Sequence, residues 1–276
     1  MTSSPSEIIL ATGRRDRDYW QDLWRYRELF YFLAWRDLLV RYKQTAIGVA
    51  WAVIRPFVTM IVFSVVFGYL AKLPANGVPY PILVFSAVLP WQLFANALSE
   101  CSNSLIGNAN LIAKVYFPRL IIPASAVMVS LVDFLMAGMI LLGLMVWYHF
   151  IPSWRILTLP IFMVLALLAS MGAGLWLAAL SVKYRDFRTV VPFLIQFGLY
   201  ISPVGFSSSI VPEWWRWLYC LNPMVSVIDG FRWAILGGST ELYFPGFLLS
   251  SGLAIVVFLS GIRCFRRYER TFADVI

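Results

Sequence analysis

The chain has 276 residues, 61% of them apolar and only 13% charged, with a mean hydropathy of +0.77. Soluble domains carry about a quarter charged residues, so this composition excludes a water-soluble globular fold. Several separate apolar runs near the roughly 20 residues of a spanning helix point to an all-α polytopic membrane protein. The net charge of +8 would suit a nucleic-acid partner, but its distribution along the chain argues against one.

Residues 1–22 read as a polar cytoplasmic tail. They lack the apolar core of a cleavable signal, since residues 8–11 form their only apolar patch. Residues 23–43 mix aromatics with Arg and Lys, a combination that favours the headgroup zone and predicts an interfacial helix. Arg25, Arg36 and Lys43 project to one side of such a helix, while Arg27 and Arg41 point elsewhere. The segment reads either as a membrane-surface anchor or as a basic platform for a phosphorylated lipid headgroup. Arg25, Arg36, Arg41 and Lys43 are the platform candidates, because Arg presents paired donors to phosphate.

The first span covers about residues 47–70 and contains Arg55-Pro56. A charge at mid-membrane costs about 2.5–3.5 kcal/mol on the insertion scale, so Arg55 needs snorkelling or a polar partner. A turn cluster at 71–79 leads to a second span, about 80–98, with a kink expected at Pro90. The connection at 99–119 predicts a short helix, capped by Asn108 or Asn110 and ending before Pro118. It reads as a plain connector or as a docking element for a soluble partner. The third span, about 120–148, has Asp133 near its midpoint, where an ionisable residue either serves function or fixes helix packing. His149 at its far end reads as interfacial.

The fourth span, about 157–182, carries Ser170, Gly174 and Ala178 at a spacing that lets helices approach closely. A charged turn at 183–188 precedes a fifth span at 189–206, in which Pro192, Gln196, Tyr200 and Pro203 favour protein or a water-filled path over lipid. Residues 210–238 are too interrupted for a comfortable crossing and predict a re-entrant or interfacial hairpin broken at Asn222-Pro223. The sixth span is about 244–262. Cys101, Cys220 and Cys264 read as packing residues, for they share no metal or redox spacing.

Charge decides between six and seven spans. With 210–238 as a dip, 17 of the 22 Lys and Arg fall on one side: the stretch to Lys43, Lys114 with Arg119, the turn at 183–188, and the tail from Arg263. Lys72, Arg155, Arg216 and Arg232 face the other side, and Arg55 lies within a span. That bias fits the positive-inside rule with both termini cytoplasmic. A seventh crossing would export the four tail arginines and bury Arg216, Asp229 and Arg232.

Catalytic chemistry is hard to find. The chain has no GxxxxGK[ST] phosphate loop, no HExxH, no GxSxG and no His/Cys cluster, so no metal site and no ATP site of the phosphate-loop kind is expected. Asp229 and Arg232, three apart, read as a local ion pair.

Four stretches resemble one family: WRDLLVRYKQTAIGVAWAVIRP (35–56), AKVYFPRLIIP (113–123), VKYRDFRTVVPFLIQFGLYISPV (182–204) and VPEWWRWLYCLNPMVSVIDGFRWAIL (211–236). Together they look like the type-2 permeases of ABC polysaccharide exporters, closest to the lipopolysaccharide O-antigen exporters, over about residues 24–270. The resemblance implies a six-span permease of the bacterial inner membrane that homodimerises and pairs with two copies of a cytoplasmic ATPase, which binds ATP and Mg. It implies export of an undecaprenyl-diphosphate-linked glycan, with residues 23–43 near the pyrophosphate. The connection at 105–118, with Asn108, Asn110, Lys114 and Tyr116, would dock the ATPase. Spans one and five would line the channel through Trp51, Arg55, Gln196, Tyr200 and Phe206, although Arg55 matches no general family residue. The hairpin would bring Trp214, Trp215 and Trp217 to the external gate. Capsule or teichoic acid export stays open as an alternative, as do a membrane glycan-lipid enzyme and a secondary transporter with Asp133 as proton relay.

Overall fold

A computed structural model describes residues 16–43, 48–74, 77–184, 186–237, 242–269 and 272. The polar tail up to residue 15, Ile47 at the start of the first span, Arg185 and Arg270 of the charge count, and Gly238 at the end of the hairpin lie outside the described residues.

The described chain is helical, with no strand among its residues. Five stretches are long and apolar enough to cross a membrane: Ala50–Leu70, Tyr80–Gly107, Ile121–Trp147, Trp154–Lys183 and Phe244–Tyr268. The elements in order are α1 (Asp16–Arg25), α2 (Arg27–Lys43), α3 (Gly48–Phe63, continued as a π-helical turn to Leu70), α4 (Tyr80–Gly107), α5 (Ala109–Lys114), α6 (Ile121–Trp147), α7 (Leu159–Lys183), α8 (Phe187–Ile201), α9 (Glu213–Tyr219), α10 (Pro223–Leu236) and α11 (Phe244–Tyr268). Proline stands in the first turn of α4, α7, α10 and α11, where its missing N–H goes unused.

The core is built around α4. Its apolar window is 78% buried, against 11% for Ala50–Leu70. α6 and α7 flank α4, α2 lies against α6, and α11 covers the far side of α7. Small residues set these approaches. Gly174, in the predicted Ser170/Gly174/Ala178 stripe, faces Cys101 of α4, and a Cβ there would come within 2.7 Å of the Cys101 side chain. Gly172 and Gly261 let the backbones of α7 and α11 touch, with a Cβ on Gly172 only 2.6 Å from the Phe258 nitrogen. Helices in lipid associate by such close packing rather than by hydrophobic exclusion. All three cysteines are buried and free.

Three elements differ in detail from the sequence expectation. The interfacial segment is two helices with a break at Tyr26. The helix of the second span runs on to Gly107, so the connection proper begins at Asn108. The fifth expected span, 189–206, is helical only to Ile201 and continues as an irregular stretch at 202–206, buried from Ser202 to Gly205.

The register of α8 follows that of α4. Val191 packs with Leu98 of α4, Gly198 receives the Trp91 ring, and the Gly205 carbonyl accepts from the Tyr80 hydroxyl. Fifteen residues rise about 22 Å at 1.5 Å each, and the irregular stretch extends the segment to the start of α4.

Candidate functional site

At one end of the bundle Arg36 meets Asn108, Arg41 meets Glu100, Arg119 meets Glu269 and Arg266 lies over Tyr19, which gathers these basic residues together. The opposite end carries Lys72, Arg155, Arg216 and Arg232. The candidate functional surfaces therefore fall into three zones: the basic end, the flank formed by α3 and α8, and the opposite end.

At the basic end the four platform residues do not form one open surface. Arg25 and Lys43 are exposed. Arg36 is held by Asp37 at 2.7 Å and donates to the Asn108 side chain at 2.7 Å. Arg41 sits between two carboxylates, Glu100 of α4 at 2.7 Å and Asp133 of α6 at 2.8 Å. The Tyr42 hydroxyl donates to the other Asp133 oxygen, and the Asn96 amide approaches at 3.5 Å. Burial, and then the bond to Asp133, push the Tyr42 phenol above its ordinary value, so it stays protonated as a donor.

This cluster answers the question raised by a carboxylate in the middle of an apolar helix. Asp133, with 7% of its side chain exposed, is satisfied by a cation and a phenol brought in by α2. A buried charge without such partners would be strongly destabilising. Glu100, Tyr42 and Asn96 carried no sequence signal beyond being polar in apolar surroundings, because their pairing is set by helix packing.

The basic end also joins the chain's two described extremities. Tyr19 of α1 donates to Glu269 at 3.3 Å, and the Arg119 backbone N–H donates to the same carboxylate at 2.8 Å. Arg266 lies over the Tyr19 ring at 4.4 Å, and Phe272 packs on Phe265. Burial raises the Glu269 carboxyl above its ordinary range, against the lowering by the Arg119 N–H and Tyr19.

The docking candidates divide. Asn110, Lys114 and Tyr116 are exposed, while Phe117 and Ile112 anchor the connection in the core. Asn108 occupies the N-cap position of α5 but makes no side-chain cap there. Its oxygen accepts from Arg36 and its amide donates to the Ser104 carbonyl at 2.9 Å. The predicted cap gives way to a tie between α2 and the start of the connection.

Along the flank, α3 and α8 each turn a face away from the bundle. Trp51, Arg55, Val58, Val62 and Tyr69 are exposed on the first, and Phe193, Gln196, Phe197 and Tyr200 on the second. The two converge where the Phe67 ring packs on Gly205. Phe206, the fifth channel candidate, is half-buried beyond that point.

At the opposite end the two limbs of the 210–238 segment differ. α9 is largely exposed, with Trp214 and Trp215 in ring contact at 4.9 Å and Trp217 also uncovered. Trp215 lines an apolar recess of about 610 Å³ together with Ile210, Pro212, Leu218 and Tyr219. α10 instead buries Val227, Ile228, Phe231 and Ile235 against the core. Asp229 and Arg232, expected as an ion pair, do not reach salt-bridge distance, although each charge favours the other across the gap. Arg232 is buried and spends its guanidinium on backbone carbonyls.

Residues 28–236 match the family model described as ABC-2 type transporter. The chain is 26% identical over 245 residues to the O-antigen export system permease protein RfbA of Klebsiella pneumoniae, covering 87% of this chain and 92% of that one. It is 28% identical over 215 residues to RfbA of Myxococcus xanthus, covering 77% and 82%. Similarity to the polysialic acid transport protein KpsM of Escherichia coli is 24% over 207 residues, covering 74% and 79%.

Proposed function

Because the chain belongs to the ABC-2 type transporter family, a family of non-catalytic membrane permeases, we propose that it is the permease subunit of an ATP-driven exporter. The substrate on this reading is a lipid-linked polysaccharide, an undecaprenyl-diphosphate-linked O-antigen, crossing a bacterial inner membrane. The names of the Klebsiella and Myxococcus relatives support that substrate class.

One observation carries the reading beyond the family: the uncovered α3 and α8 faces mix apolar side chains with Arg55 and Gln196. Polar atoms at that depth are tolerated against protein or a water-filled path, not lipid. A second copy of the chain across this flank would enclose Trp51, Arg55, Gln196, Tyr200 and Phe206 as a channel lining. Aromatic rings there suit the C–H faces of sugars.

On the same reading the basic end is cytoplasmic by the positive-inside rule. Residues 189–206 cross as the fifth span, which brings the five long helices to six crossings, and 210–238 stand at the external exit, with Trp214, Trp215 and Trp217 at the gate. Exposed Arg25 and Lys43 receive the pyrophosphate, while Arg36 and Arg41 hold α2 in place. The connection presenting Asn110, Lys114 and Tyr116 takes one of two ATPase copies, and ATP and Mg belong to that subunit.

The test is complementation of a strain lacking its O-antigen permease, with and without a co-expressed ATPase. Surface O-antigen should return only when both are present, and membranes holding this chain alone should hydrolyse no ATP. Export without the ATPase would overturn the proposal. Similarity to KpsM favours capsule export as the second reading, which predicts restored capsule and no O-antigen in parallel strains.

A further inference from the structure

The irregular stretch 202–206, between α8 and the α9–α10 pair, is buried from Ser202 to Gly205, yet its backbone has left the helical ladder. Ser202 is extended before Pro203, as a residue preceding proline prefers to be. Carbonyls freed at such depth need other donors. Side chains from α4, α9 and α10 supply most of them. Tyr219 of α9 donates its hydroxyl to the Ile201 carbonyl at 2.7 Å. Asn222, which caps α10 with its oxygen, donates its amide to the Ser202 hydroxyl at 2.9 Å. Tyr80 of α4 donates to the Gly205 carbonyl at 2.9 Å.

Arg232 of α10 makes the largest contribution. Its guanidinium donates to the carbonyls of Phe206 at 2.6 Å and Val204 at 3.0 Å, and reaches Leu83 of α4 at 3.4 Å. The side chain is 1% exposed. A planar fork with five donors can bridge carbonyls on two elements, which a lysine ammonium cannot do in the same geometry.

We infer that Arg232 is a positioning residue that clamps the end of α8 to α10, with Tyr219 adding α9, so that the three helices move as one body when the exit opens. The functional part rests on the export reading: a shift of the channel-lining α8 would be handed directly to the tryptophans of α9. The clamp itself is a property of the chain alone.

The test uses Val204→Cys, a fully buried position, in a chain whose Cys101, Cys220 and Cys264 are alanine. Labelling by N-ethylmaleimide reports opening of the stretch. Arg232→Lys and Arg232→Met should speed labelling about tenfold or more, the factor that loss of one charged hydrogen bond supplies. Tyr219→Phe should give a smaller rise and remains informative where the Arg232 variants fail to accumulate. Unchanged labelling in every variant that folds overturns the clamp, whatever the chain transports.

With the ATPase present, Arg232→Lys should lower export about tenfold while ATP hydrolysis stays within about twofold. Parallel loss of both would reduce Arg232 to a support of the fold and overturn the coupling role. Absence of export by the unsubstituted chain counts against the export reading only, since the labelling result does not depend on it.

Discussion

Asp133 shows how one residue can be misjudged from its position and explained by its contacts. At mid-helix it invites a proton-relay role, but Arg41, Tyr42 and Asn96 occupy both of its oxygens. Removing Arg41 strands a buried carboxylate. Such a loss costs roughly 3–5 kcal/mol for a fully buried pair. The Arg41 side chain is 31% exposed, so about 2–3 kcal/mol is expected. Arg41→Ala should therefore lower the unfolding midpoint in detergent by several degrees, and Asp133→Asn in the same chain should restore part of it. Strictly additive effects would show that the pair contributes nothing of its own. Glu269 provides a pH signature at the same scale. Burial raises its pKa, so the folded chain holds a proton that the unfolded chain has released. Stability must then fall as pH rises from the ordinary glutamate value of 4.5 through the raised one, and level off beyond. The melting midpoint of the unsubstituted chain should drop across that window relative to Glu269→Gln, and coincident profiles would refute the argument.

At the scale of elements, glycine contacts separate packing from mere helix composition. A Cβ on Gly172 would strike the α11 backbone, whereas one on Gly143 would meet nothing within 4 Å. Gly172→Ala should cost about 1–3 kcal/mol by overpacking, while Gly143→Ala should be neutral or gain up to about 1 kcal/mol of helix propensity. Thermal melts of the two variants decide it, and equal midpoints would mean that α7 and α11 separate freely. The long apolar helices were legible from hydropathy, because length and composition alone set them. The stripe through Gly174 was legible because small residues recur on one face. Other features were not. Arg36 turning Asn108 away from its cap, and Arg41 meeting Glu100 and Asp133, join residues far apart in sequence on helices whose rotation no periodicity fixes. The expected span ran past Pro203 to 206, whereas α8 ends at Ile201, and the donors that hold the freed carbonyls come from three other elements. The two unequal limbs of 210–238 likewise share an apolar composition, and only packing sends α10 inward and leaves α9 outside.

For the whole molecule the decisive question is what covers the flank of α3 and α8. A span only 11% buried within its own chain has the exposure expected of a lipid-facing helix, and so has α11 along Leu248, Ile255 and Leu259. Polarity distinguishes the two faces. The α11 residues named are all apolar, whereas the α3 and α8 faces include Arg55 and Gln196. Exposure to hydrocarbon costs about 2.5–3.5 kcal/mol for an arginine at the centre of a span and less for Arg55, which lies nearer the start of Ala50–Leu70. A homodimer closed across the polar flank removes that cost, and two-fold symmetry would bring the same helices of each copy together. Single cysteines at Ile54, Val58, Ile61 and Val65, all exposed on α3, should therefore form disulfide-linked dimers on mild oxidation in membranes. Cysteines at Leu248, Ile255 and Leu259 should stay monomeric. Cross-linking confined to α11 would move the subunit interface to the other side of the bundle and leave Arg55 as a residue that only snorkels.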